Sequence, residues 1–355
     1  MQNFLGLLSA IVFFMGVGNL LAQTAIPFFI RLDSPDVRGC PVDGWGYLDE
    51  TGRLISTNLF PHASSVDGTG ISLVEHSGQL ALFRPSDSSI VLFPPESDVN
   101  RFGPVPIWGD SIGFSEGRFL ARFYDRGTGY CMGYFGYDGN LIDGGKWKQA
   151  RSFRNGLAAV SNGKQWGFID PSGKLVVSNA FDRVSDFSDD GLAVATIEGN
   201  RVGLIDPSGR WVLSPRYHHI SGVSGGIAAV NEGGKSFFVG LDGRKVLESE
   251  FDEADPFHDG LAWVRIGGVG GYIMTNGTFA IHPKYDDGFS FSEGLAAVRM
   301  GEKWGYVTTN GTVAIPFLFD GATCFSGGFA KVVVLDDEPK TLLIGKNGKT
   351  VFPKE

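Results

Sequence analysis

A chain of 355 residues is longer than a single hydrophobic core usually supports, so it points to several domains or an array of repeats. Its 52 glycines and 29 phenylalanines, with only 19% charged residues, exclude a disordered chain and suggest many tight connections between short apolar strands. The formal net charge of -9 would repel a phosphate backbone, so nucleic acid is not an expected partner.

The chain begins with an uncharged stretch. Met1 to Ala22 holds no Asp, Glu, Lys or Arg, and Phe4 to Met15 is almost wholly apolar. The pattern reads as a signal peptide cleaved after Ala22; the alternatives are an uncleaved membrane anchor through residues 4–22 and a buried structural segment. The first two imply a secreted, periplasmic or cell-surface protein. Residues 23–43 read as a linker. Cys40, Cys131 and Cys324 are far apart and in no metal-ligand spacing, so they are expected to be free thiols.

From residue 44 to 352 the chain repeats itself, most clearly over 153–332. Phe153-Arg-Asn-Gly-Leu-Ala-Ala-Val160 is followed by Gln165-Trp-Gly-Phe-Ile-Asp-Pro-Ser-Gly173, then Leu175-Val-Val177 and Phe181. The glycine of the first block recurs as Gly117, Gly156, Gly191, Gly226, Gly260, Gly294 and Gly328, in steps of 39, 35, 35, 34, 34 and 34 residues. The second block returns at Trp45, Val202 and Trp304, weaker copies surround Gly133, Phe237, Gly271 and Leu342, and a ninth, poorest copy can be read in Ile71 to Val91. The 309 residues from Gly44 to Phe352 then accommodate about nine units averaging just over 34.

The pairs Trp45-Gly46, Trp166-Gly167 and Trp304-Gly305, each followed by aromatic or aliphatic residues and a turn glycine, resemble the WG-repeat family. The resemblance covers nearly all of the chain after the leader. It implies a repeat scaffold, usually presumed to mediate interactions, and carries no agreed catalytic residues. Met132, Val202, Ser236, Gly270 and Thr341 replace the tryptophan in other copies.

Within one unit, Leu157 to Ser161 and Gln165 to Asp170 flank Asn162-Gly163 and predict a β-hairpin; Lys174 to Val177 supplies a third strand. Phe181 to Phe187 is either a fourth edge strand or a connection. Both faces of the strands are apolar, so each sheet must be covered on both sides. The predicted fold is all-β: short antiparallel β-meander units arranged as a β-propeller-like array or an open β-solenoid. The glycine after each tryptophan is expected to make room for an aromatic ring over bare backbone, with Trp45, Trp166 and Trp304 as packing residues.

No catalytic, cofactor-binding or metal-ligating set emerges. His62, His76, His218, His219, His258 and His282 are scattered, and neighbours such as His218 and His219 point to opposite faces of a strand. Ser161, Ser188 and Ser292 lack a nucleophile-elbow context. Asp170 and Asp206 recur in phase before Pro-Ser-Gly and read as acceptors within turns in preference to calcium ligands. Asn276-Gly277-Thr278 and Asn310-Gly311-Thr312 match the glycosylation pattern but sit at equivalent turns. A non-catalytic scaffold binding a protein or glycan is therefore expected, with Arg201, Tyr217 and Trp263 as pattern-breaking candidates for specificity. The alternative is a propeller-type hydrolase using acids near recurrent turns: Asp189, Asp190, Asp259, Asp286 and Glu293.

Overall fold

The computed structural model describes residues 26–35, 41–48, 60–63, 69–102, 105–106, 115–142, 145–335 and 339–352. The leader, Cys40 and the side chain of Trp45 lie outside the described residues. The chain divides into two compact units, residues 1–153 and 154–355. Nearly every described element is an antiparallel strand, with one short helix at Asp98–Phe102.

In the first unit Ile26–Pro35, within the stretch read as a linker, pairs with Pro41–Leu48. Ser72–His76, Gln79–Arg84 and Ser89–Leu92 form a three-stranded meander, and Arg118–Asp125 pairs with Gly129–Gly136. This last sheet and six in the second unit follow the glycines Gly117 to Gly328. Among the described residues the regular unit thus occurs seven times, not about nine. The Trp45 copy forms only two strands among the described residues, and the Ile71 to Val91 meander lacks the aromatic-glycine strand.

A regular unit runs as in Ala193–Ile197, Arg201–Ile205 and Trp211–Tyr217, paired in that order. The fourth strand is the short Arg183–Val184, which pairs with Ala193–Ile197. The Phe181 to Phe187 stretch therefore makes a strand, but in the following sheet. One residue, Asp182, separates it from the preceding strand Leu175–Phe181. His218, Asp286 and Asp320 make the same one-residue junctions later.

Both faces of the strands are buried as their composition requires: every residue of Ala158–Ser161 is buried. Each core lies between consecutive sheets, as where Phe168 and Val177 meet Val184, Phe187, Ala193 and Ile205. An aromatic ladder links the sheets. Phe168 packs on Phe187, Phe238 on Phe257, Tyr272 on Phe291 and Tyr306 on Phe325, with ring centroids 4.7–4.9 Å apart. Burying each such ring contributes about 1.5–3 kcal/mol, and the ring pairing a further 0.5–1.5 kcal/mol or so. No sheet in this series could bury its core alone.

The glycine after the tryptophan has a different cause from the one expected. The third strand bulges across it: Trp166 pairs with Phe181 and Phe168 with Val177, leaving three residues opposite Gly167. A Cβ on Gly167 would lie 2.3 Å from the Val177 carbonyl oxygen; on Gly203, 2.4 Å from that of Leu213; on Gly271, 2.4 Å from that of Ile281. Backbone lies nearest at all three, and at Gly203 the Trp211 ring also comes within 2.8 Å. The units with this glycine at 167, 203, 271 and 305 have third strands of seven residues. Where Phe237 takes its place, only the bridges of Ser236 to Phe251 and Val239 to Lys245 remain.

Candidate functional site

The turns consume most residues that looked chemical. Asp170 Oδ1 accepts from the Ser172 and Lys174 amides at 2.9 and 3.1 Å, and Asp206 Oδ1 from those of Ser208 and Arg210 at 2.8 and 3.1 Å. The Ser208 hydroxyl and these amides hold the Asp206 carboxyl down to about 2. Asn276 and Asn310 accept from the Thr278 and Thr312 amides in the same turn.

At Asn162-Gly163 only Gly163 has positive φ, whereas the equivalent hairpin turns Gly199-Asn200, Gly233-Gly234 and Gly267-Gly268 carry a positive-φ pair, as do the turns leading into the Gly-Leu-Ala strands. Asp259 and Glu293 adopt φ of 51° and 55° there. Each carboxylate reaches the next sheet, Asp259 accepting from Gly294 N at 2.8 Å and Glu293 from Gly328 N at 3.1 Å. These bonds offset the roughly 1–2 kcal/mol that a left-handed conformation costs. Asp286 accepts from Gly301 N at 2.6 Å, as Asp252 does from Gly267 N at 2.7 Å and Asp320 from Leu335 N at 2.8 Å. His218 occupies that junction in its own unit, its Nδ1 facing Gly233 N at 3.4 Å. Asp189 receives the Asn155 side-chain amide at 3.4 Å. Ser161 and Ser292 bond to backbone, at Gly163 N and Phe325 O.

The pattern-breaking candidates divide. Arg201 is exposed and donates to Arg216 O at 2.8 Å, whereas Tyr217 is fully buried and Trp263 is 3% exposed. Trp263 stands where other units carry Ala159, Val194, Ala229 and Ala297. Gly270 and Gly288 admit it: a Cβ on either would lie 2.0 or 2.5 Å from its ring. Trp166 and Trp304 are half-buried and pack against the inter-sheet cores.

One group of side chains is left over from packing and turns. It sits along the short strands His219–Ser224, Glu253–Ala254 and Asp287–Gly288 of consecutive sheets. Asp255, just past the second of these, is half-buried, and its side chain takes no hydrogen bond from the described residues. Burial raises its carboxyl above the usual range, Glu253 and Asp287 add to the shift, and His258 and His219 oppose it. Beside it Arg265 bridges two sheets, with Nε 2.9 Å from Glu253 Oε2 and Nη2 3.3 Å from Asp287 Oδ1. Its Nη1 donates to Asp286 O at 3.0 Å. Arg299 lies 3.9 Å from the other Asp287 oxygen and pairs across the strand with Trp304. Phe289 is 40% exposed and stacks on Trp304, centroids 5.0 Å apart at 16°. Its carbonyl accepts from the buried Tyr272 hydroxyl at 2.7 Å. The edge therefore presents carboxylates, guanidiniums, imidazoles and an aromatic face, a set suited to hydrogen-bonding and stacking on a ligand. Sequence reading left His219 and His258 among scattered histidines with no ligand role and passed over Asp255 and Phe289.

The family model described as WG containing repeat matches residues 132–166, 166–200, 203–235, 237–269, 271–304 and 304–336, more than half of the chain. This chain belongs to the WG-repeat family. The matched segments each begin on the second long strand of a unit, which carries the bulge-accommodating glycine at 167, 203, 271 and 305 and Phe237 in its place in one unit, so the WG-repeat pattern corresponds to that strand and the junction after it. A comparison with curated proteins gives no match. Among solved structures, the WG-repeat chain shares its fold with a eukaryotic initiation factor, at TM-score 0.57 and 10% identity over 93% of this chain and 96% of that one. BamB from Moraxella catarrhalis aligns at TM-score 0.41 and 11% identity, over 74% of this chain and 90% of that one. The dihydro-heme d1 dehydrogenase NirN aligns at 0.41 and 14%, over 94% and 74%.

Proposed function

We propose that this WG-repeat protein is a non-catalytic exported or cell-surface scaffold, which binds a protein or glycan through the edge around Asp255, Arg265, Asp287 and Phe289. The observation that carries the reading is that the half-buried Asp255, which takes no hydrogen bond from the described residues, lies among the ion-paired Glu253, Arg265 and Asp287 on the edge that also carries the exposed ring of Phe289. A repeat scaffold places variable residues on a fixed frame, and recognition then falls to residues the frame does not use. Export rests on the uncharged apolar stretch Phe4 to Ala22, which serves as a cleaved leader or as an anchor. The hydrolase reading loses support because Asp259, Asp286 and Glu293 act as acceptors for backbone amides.

The test is capture from the cell-surface fraction of the source organism and from a glycan array, using the full chain and a doubly substituted Asp255→Ala, Phe289→Ala protein. Far-UV circular dichroism checks that both fold. A ligand retained by the native protein and released by the variant supports the reading. Equal retention, or none by either protein, sinks it.

A further inference from the structure

The hairpin Arg118–Asp125 and Gly129–Gly136, in the first unit, carries a second surface unrelated to that edge. One face is core: Phe119, Ala121, Phe123, Cys131 and Phe135 are all buried in one cluster. The other face, toward the tip, is open. Tyr124 and Tyr130 pair across the strands and are 55% and 67% exposed. Their rings meet edge to face, centroids 5.2 Å apart at 71°, which leaves the faces of the edge-on ring uncovered by its neighbour. The Arg122 guanidinium lies 5.3 Å from the Tyr130 centroid.

The charge at this tip is opposite to that of the chain as a whole. Asp125 is already engaged: it accepts from Gly127 N, Thr128 N and Thr128 Oγ1 at 2.9–3.0 Å and pairs with Lys146 Nζ at 2.7 Å. Lys146 foremost, then these turn donors, bring its carboxyl down to about 2. Lys148 donates to Thr128 O at 3.3 Å, which brings a further cation to the turn. Arg122, Arg126 and Lys148 are exposed and form no ion pair among the described residues. In a protein of net charge -9 this is a local basic and aromatic platform held rigid by the core behind it.

We infer that this hairpin tip is a binding site for an acidic polysaccharide. The apolar face of a sugar ring stacks on exposed tyrosine, and a uronate carboxylate takes a paired hydrogen bond from a guanidinium. A lipid surface fits less well, because the turn Asp125-Arg-Gly-Thr-Gly129 has no aliphatic or tryptophan side chain to insert. A nucleic acid would need more phosphate contacts to overcome the repulsion of the remaining surface.

The experiment is calorimetric titration of the full chain with polygalacturonate, beside dextran, polyglutamate and phosphatidylglycerol vesicles. Polygalacturonate is expected to bind, more weakly as salt rises, and the other three to give no comparable heat. Tyr124→Ala with Tyr130→Ala should weaken binding roughly tenfold, and Arg122→Gln roughly fivefold. Arg122→Gln with Arg126→Gln keeps the rings and serves if the tyrosine variant unfolds. Asp255→Ala should bind polygalacturonate unchanged, so failure here and failure of the proposed edge are separable. No binding of polygalacturonate, equal binding of polyglutamate, stronger binding of vesicles, or folded variants with native affinity would each overturn the assignment.

Discussion

Replacing Gly271 by alanine adds one methyl group where the third strand bulges. Its Cβ would sit 2.4 Å from the Ile281 carbonyl oxygen, 2.7 Å from Pro283 N and 2.9 Å from the His282 carbonyl carbon. All three are backbone atoms, so no side-chain rotation relieves the contact; the strand Phe279–Tyr285 must move. Forced overpacking of this kind costs about 1–3 kcal/mol, and loss of strand hydrogen bonds places Gly271→Ala at the upper end, about 3 kcal/mol. Gly345→Ala is the control, because its Cβ would meet nothing nearer than Asn347 Oδ1 at 3.4 Å, an ordinary contact. Urea unfolding measures the global cost, and hydrogen exchange of amides 279–285 reads the strand directly, which matters in an array whose units can open separately. If Gly271→Ala costs less than about 1 kcal/mol, or leaves those amides as protected as in Gly345→Ala, the bulge does not explain the glycine.

Trp263 and Gly270 should behave as a compensating pair. Trp263→Ala leaves a cavity costing about 3–5 kcal/mol, and Gly270→Val places a Cβ 2.0 Å from that ring; the double variant restores small-opposite-large packing, with a coupling of about 2 kcal/mol or more in denaturation. Additive losses would refute the fit. The Asp206 carboxyl, held near 2 in the folded protein, lies below its unfolded value of roughly 3.9. Its contribution is therefore present above about pH 4 and is lost as pH falls toward 2. Asp206→Asn, which keeps an acceptor oxygen but cannot ionise, should flatten the stability profile in that window; an unchanged slope on acid titration would count against it.

Much of the frame was legible because it repeats locally. Leu157 to Val160 is apolar on both faces, and a sheet covered on both sides follows from that alone. Asp170 and Asp206 precede Pro-Ser-Gly, and their role as turn acceptors follows from neighbours two and four residues away. What was misread depends on register over longer spans. The reason for Gly167 lies in a bulge at Ser178 and Asn179, on another strand, and the Arg183–Val184 strand joins the sheet after its own unit. The count of nine adds Trp45-Gly46 and Ile71 to Val91 to a glycine series from Gly117 that already has seven members. Asp255 was invisible because its neighbours His219 and Asp287 come from other units, brought together only by the alignment of short strands. Trp263 looked like a recognition residue because the two glycines that admit it, Gly270 and Gly288, are read as separate losses until the sheets are packed.

The one-residue junctions bear on how such an array can change length. Between Tyr217 and His219, Tyr285 and Asp287, or Phe319 and Gly321 there is no slack, and the joining residue is also tied to a turn 15 residues ahead. An extra residue there would displace the short strand and release the clamp together. Gain or loss of a copy by recombination is therefore tolerated only when both cuts fall at the same phase, and the exposed turns Gly267-Gly268 and Gly301-Glu302, whose amides receive the Asp252 and Asp286 clamps, are bound by the same constraint. The joints stay at one residue while the steps vary between 34 and 35, so the spare residue falls elsewhere in the unit.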